Sequence, residues 1–78
     1  MTIVDIDMTR VTSMSRTNYY ISMFVWCMYN IGKKAASTFW LRNNHPWTIV
    51  DDTNNEIRRF CFLKEEDATL FKLTWWPN

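Results

Sequence analysis

One histidine, two cysteines and three short clusters of acids are the groups this sequence offers for acid–base, nucleophilic or metal chemistry. A Cys–His or Ser–His pair needs the base beside the nucleophile and a third group to orient it. His45 would therefore have to meet Cys61 or Ser37 in space, and it stands in a polar turn directly before Pro46. A solvated loop histidine is the simpler reading. A structural zinc site takes four ligands, whereas Cys27, Cys61 and His45 supply three. Asp5 and Asp7 share one face of an extended segment, about 7 Å apart by strand rise. Such a pair can hold a metal or divide acid and base roles, but a solvated sheet face accounts for it equally well. Asp51 and Asp52 read as turn formers, and Glu65, Glu66 and Asp67 as the first turn of a helix, where the helix dipole favours acids. The single glycine, Gly32, excludes a glycine-rich phosphate loop. The expectation is no enzyme, no cofactor and no metal.

The basic residues suggest a different chemistry. Lys33, Lys34 and Arg42 bracket Phe39 and Trp40, and Arg58 and Arg59 extend the set. Cations interleaved with aromatics can form a platform for single-stranded nucleic acid, because bases stack and phosphates pair. The overall charge opposes this. Nine Lys and Arg against eight Asp and Glu leave a net charge of +1, too little for a strong electrostatic contribution. Nucleic acid is therefore the weaker expectation.

Aromatic surplus is the stronger signal. Aromatic residues make up 17% of the 78 residues, and five of them are tryptophans. Trp26 sits within an apolar run and reads as core. Trp40, Trp47, Trp75 and Trp76 fall in or near turns and ends, where so small a chain has little interior to hide them. Trp and Arg are enriched where interfaces carry most of their energy, and exposed apolar patches mark interaction sites. Phe39, Trp40, Arg42, Trp47, Trp75 and Trp76 are therefore the candidate contact residues, with at least one tryptophan cluster exposed in the monomer. The alternative is that two or three of these tryptophans cover the core.

These residues must be positioned by a small α+β framework. Val4, Ile6 and Met8 alternate with Asp5 and Asp7, which predicts a half-buried strand over 2–8. Ser13 or Ser15 can cap a helix over 15–31, with Tyr20, Phe24, Cys27, Met28 and Ile31 on one stripe. Gly32 then fits the position just past its end, with Lys33 and Lys34 beside the negative terminus. The helix is apolar nearly all round. It is nevertheless too short to span a bilayer, which takes about 20 apolar residues. An apolar helix without a clear polar face suggests cover on both sides, from the sheet and from a partner.

Residues 36–42 alternate as a strand would, while Ile31, Ala35 and Phe39 keep a helical spacing. Both readings stay open until His45-Pro46 ends the segment. Trp47–Val50 reads as a short strand, 51–55 as a turn cluster, and 56–63 as a strand with Phe60 and Phe62 on one face. A helix over 65–73 follows, with Ala68, Phe71 and Trp75 on one face, although 71–76 also fits a closing strand. The order β-α-β-β-α predicts one α+β domain over 1–78. It is a small antiparallel sheet with two helices on one face, a truncated ferredoxin-like layout. Cys27 and Cys61 sit in apolar runs. They read as two reduced, buried thiols, with a single disulfide as the alternative. The early acids of the first seven residues lack the basic start of a secretory signal, so a reducing, intracellular setting is expected.

The segment Phe60-x-Phe62-x-x-Glu65-Glu66-Asp67-Ala68-x-x-Phe71-Lys72-Leu73-x-Trp75 resembles the C-terminal signature of small accessory proteins encoded by tailed bacteriophages, most of unassigned function. Trp26-Cys27 and Gly32 are similar to their central helix and its end. The resemblance covers about the last 20 residues well and the middle loosely. The 43–55 stretch and the Trp76-Pro77-Asn78 tail depart from the pattern. It implies a phage origin, an α+β fold and no catalytic residues. The seven asparagines against one glycine suit the AT-rich coding sequence of a phage.

Together these features predict a protein-binding factor acting on a bacterial host or defence protein in the host cytoplasm. A virion or assembly component gripped by other phage structural proteins is the alternative. A homo-oligomer is a further option, nucleic acid is a minor one, and no membrane is expected.

Overall fold

In the computed structural model, described over residues 1–12, 14–50 and 56–76, the chain forms three strands and two α-helices. Strand β1 (Thr2–Asp7) is followed by a single 3-10 turn, Met8–Arg10. Helix α1 (Arg16–Asn30), strand β2 (Trp47–Val50), strand β3 (Ile57–Phe62) and helix α2 (Glu65–Trp75) complete the order. The Ser13 cap candidate, the 51–55 turn cluster and the Pro77-Asn78 tail lie outside the described residues.

The sheet order is β1-β3-β2, and both pairings are antiparallel. β1 and β2 therefore run parallel to each other on either side of β3. This is the split β-α-β arrangement that a truncated ferredoxin-like layout requires. The register places Thr2 opposite Phe62 and Asp7 opposite Ile57, and Trp47 opposite Phe62 on the other side. Val4, Ile6, Phe60 and Phe62 consequently share one face. They meet Met23 and Cys27 of α1 and Ala68 and Phe71 of α2 in a single core. Both helices thus cover the same face, as expected for an α+β fold.

The cap residues were legible. The Ser15 hydroxyl accepts from the Asn18 amide at 3.1 Å, which satisfies one of the free donors of the first turn. The Ile31 and Gly32 amides both bond the Cys27 carbonyl. Gly32 takes φ +140°, a conformation side chains resist, and a Cβ there would lie 3.2 Å from the Pro46 ring. That one residue stops α1 and turns the chain toward β2.

Residues 36–42 are neither strand nor helix continuation. They form a short 3-10 turn, Thr38–Trp40. The preceding residues pair instead: Lys34 bridges Trp47 in parallel, and the Ala35 amide bonds the Trp47 carbonyl at 2.7 Å. This segment backs the face of the sheet opposite the helices. There Ala35, Leu41 and Cys61 form a second small core with Leu63. Thr48 is buried with them, its hydroxyl donating to the Ala35 carbonyl. β3 is therefore covered on both faces, which explains why Cys61 is as buried as the phenylalanines beside it.

The closing-strand alternative for 71–76 is overturned: α2 continues to Trp75. Thr74, which weakens the apolar pattern, turns its hydroxyl back onto the Leu70 carbonyl. The helix end is held from outside, because the Tyr19 hydroxyl donates to the Trp75 carbonyl.

Candidate functional surface

The two cysteines are free and buried on opposite faces of the sheet, Cys27 in the helix-side core and Cys61 in the second one. No disulfide joins them. Burial, with some help from Asp67, pushes the Cys27 thiol up to about 12. Burial, together with Asp5, also raises Cys61 against the opposing pull of Arg59. Both groups are thereby held as thiols, the unreactive form. His45 closes a tight turn in which Arg42 and His45 exchange main-chain hydrogen bonds. Among the described residues no three His, Cys, Asp or Glu side chains converge as a metal site would require.

Asp5 and Asp7 do share the face away from the helices, but each already has a partner. The Arg59 guanidinium donates to both Asp5 oxygens, at 2.8 and 3.0 Å, and holds that carboxyl below its usual range. Asp7 accepts from the Thr9 hydroxyl and amide, which lowers it likewise. The bland reading of this pair, a solvated sheet face, describes its geometry.

The basic and aromatic residues do not assemble into a platform. Phe39 and Trp40 stand edge to face at 5.2 Å and are exposed, Phe39 at 75%. Arg42 curls back to the Phe39 and Leu41 carbonyls. Lys34 turns its ammonium onto the Ala35 carbonyl, and Lys33 is exposed. Arg59 is engaged with Asp5, on the face away from the helices. Arg58 points to the helix side, its guanidinium 4.6 Å from the Tyr20 ring centre. Successive β3 residues point to opposite faces, so these two arginines cannot line one groove.

Of the tryptophans put forward as contacts, Trp47 is corrected outright. It is fully buried, its indole N–H donates to the Gly32 carbonyl at 2.7 Å, and its ring packs on Phe24 and Phe60. A tryptophan with its polar end satisfied inside is a core residue. Trp75 is half-buried against Tyr19, rings perpendicular at 5.4 Å. Trp76 is exposed, with Lys72 over its ring. Trp26, read as core, is half-buried and rests its edge on Phe71.

No known relative places the chain. It matches no family model, no curated protein and no solved structure.

A further exposed apolar feature lies on α1 and was only hinted at by its sequence. Ile21, Val25, Met28 and Tyr29 are all exposed, Tyr29 at 86%. Their i, i+4, i+7, i+8 spacing puts them on one stripe, opposite the buried Met23 and Cys27. Leu70 and Leu73 add exposed apolar groups on α2, in the same helical layer. The apolar-all-round pattern of α1 is thus explained on one side by the sheet and left uncovered on the other. No helix among the described residues is long and apolar enough to cross a membrane.

Proposed function

We propose that this chain is a small phage-encoded factor that binds a bacterial host or defence protein and blocks or redirects it by occupying its surface. The observation that carries this reading is the outward stripe of α1, Ile21, Val25, Met28 and Tyr29. A helix with anchors at this spacing suits an apolar groove on a partner. The phage assignment rests on the sequence resemblance and on the seven asparagines against one glycine. The reading of a non-enzymatic role is supported by groups already engaged or buried: Asp5 by Arg59, Asp7 by Thr9, and both thiols inside.

Tagged protein incubated with bacterial lysate, with and without nuclease, tests this. The expected result is one stoichiometric host protein retained after nuclease treatment and lost with Val25→Glu plus Tyr29→Glu, whose circular dichroism stays unchanged. Replacing two anchors should weaken binding by at least about 2 kcal/mol, the scale of interface hot spots. Recovery that vanishes with nuclease, or that ignores the α1 substitutions, overturns the reading.

A virion or assembly component is the second reading, favoured by one specific feature. Phe39 and Trp40 belong to the segment backing the opposite face of the sheet. A subunit gripped by neighbours from two sides presents two such separated surfaces. Co-sedimentation with particles would favour it.

A further inference from the structure

The two edges of the sheet are treated differently. β2's outer edge is met by the chain itself, through the Lys34–Trp47 bridge and the bond from the Ala35 amide. β1 is the other edge, and among the described residues nothing pairs with its outer side. Which groups it offers follows from the ladder. The Met8 amide donates to the Glu56 carbonyl at 2.6 Å, in line with the β1–β3 register. Hydrogen-bonded and non-bonded pairs alternate in antiparallel sheets. Thr2, Val4 and Ile6 therefore bond inward to β3, and the amides and carbonyls of Ile3 and Asp5 point outward.

Proteins usually blunt such an edge with lysine, proline, a bulge or a covering element. Thr2–Asp7 contains no lysine and no proline, and its register with β3 runs without a bulge. Its acids are weak guards, since Asp5 is paired to Arg59 and Asp7 accepts from Thr9. Elsewhere, on α2, an open groove of about 640 Å³ is lined by Thr69, Lys72, Leu73 and Trp76. These residues occupy the side of α2 turned away from α1, whose contacts are made by Phe71 and Trp75. Leu73, at 82%, is among the most exposed apolar residues of the protein.

We propose that β1 pairs with β1 of a second copy, antiparallel and centred on Val4, joining two three-stranded sheets into one of six strands. This register brings the outward groups of Ile3 against those of Asp5 of the other copy, and Thr2 opposite Ile6. It avoids Asp5 facing Asp5, the clash a register centred on that residue would create. A strand is the ligand because the edge offers alternating main-chain donors and acceptors. A second copy is the occupant because the same six residues complement themselves about a two-fold axis. The pairing uses β1 and leaves the α1 stripe free, so it stands apart from the host-binding reading.

Sedimentation of the 78-residue chain from low to high micromolar concentration tests the proposal. The expected result is a concentration-dependent doubling of the 9.5 kDa mass. Ile3→Pro removes an amide that points outward and should give a folded monomer. Ile3→Glu, which keeps the amide and sets an acid opposite Asp5 of the other copy, should do the same if the proline variant fails to fold. In a dimer mixed from isotope-labelled and unlabelled copies, an NOE between the two Val4 Hα protons is expected, because they face each other in a non-bonded pair. A wild-type chain that stays monomeric overturns the proposal. So does a dimer that survives Ile3→Glu or a folded Ile3→Pro, or a dimer without the Val4 NOE.

Discussion

The Tyr19 hydroxyl donates to the main-chain carbonyl of Trp75 at 2.5 Å, across 56 residues of sequence, and the two rings meet edge to face. This single side chain ties the start of α1 to the end of α2. A hydrogen bond of this kind contributes about 1 kcal/mol, so Tyr19→Phe should lower the melting temperature by about 4–8 °C. Thermal unfolding followed by circular dichroism measures it. An unchanged melting temperature would mean that the end of α2 is held by other contacts.

Two tryptophans should behave oppositely. Trp47→Ala removes a fully buried ring and its bond to Gly32, and should cost about 3–5 kcal/mol, most of the stability of so small a chain. Trp40→Ala should cost less than about 0.5 kcal/mol, as surface substitutions do. Acrylamide quenching gives an independent check. A chain keeping only Trp40 should be quenched readily, and one keeping only Trp47 scarcely at all.

Gly32 carries two constraints at once, its φ of +140° and the Pro46 ring at 3.2 Å from any added Cβ. Gly32→Ala should therefore destabilise by about 1–3 kcal/mol, measured as a shift in the urea midpoint with an unchanged slope. An alanine that costs nothing would show that the turn between α1 and β2 has a second solution.

Acid should weaken the fold through its two lowered carboxylates. Asp5 and Asp7 have folded values below the ordinary 3.8, so their contribution is present above that pH. It is lost as the pH falls through the lower folded values. The Asp5–Arg59 pair is nearly half exposed, which limits its share to about 1 kcal/mol or less. Stability followed through the acid range should show a shallower decline in Asp5→Asn plus Asp7→Asn than in the native chain.

Alkali acts in the opposite direction through Cys27. Its folded value near 12 lies above the ordinary 9.0. The unfolded chain therefore releases this proton first, and stability erodes as the pH rises from about 9 toward 12. A thiol-specific disulfide reagent should find Cys27 silent in the native protein at neutral pH and reactive once denaturant is added. Rapid native labelling of Cys27 would contradict its burial.

What the sequence revealed was mostly local. Ser15 and Gly32 bound α1 through bonds made within a few residues, so both ends were readable. Strands β1 and β3 followed from alternation, and β2 from a short apolar run between Pro46 and the turn cluster. The burial of Trp47 was not readable, because it depends on the Gly32 carbonyl and on Phe24 and Phe60 arriving from elsewhere. The segment at 36–42 misled for a related reason. Its alternation was genuine, but the edge of β2 is taken by Lys34 and Ala35, so the residues after them have nothing to pair with and coil into a 3-10 turn. The α1 stripe was legible only as a helix covered on both sides, because an all-round apolar helix does not say which side its own sheet will take.

The position of β1 has a kinetic consequence. Asp5 and Arg59 are 54 residues apart, and the strand that pairs with β1 lies beyond α1 and β2. As the chain leaves the ribosome, β1 must wait until β3 has been made. Closing so long a loop is slow compared with forming local helices. During that interval Val4 and Ile6 have no sheet to cover them, and the chain is most vulnerable to proteases and to mispairing.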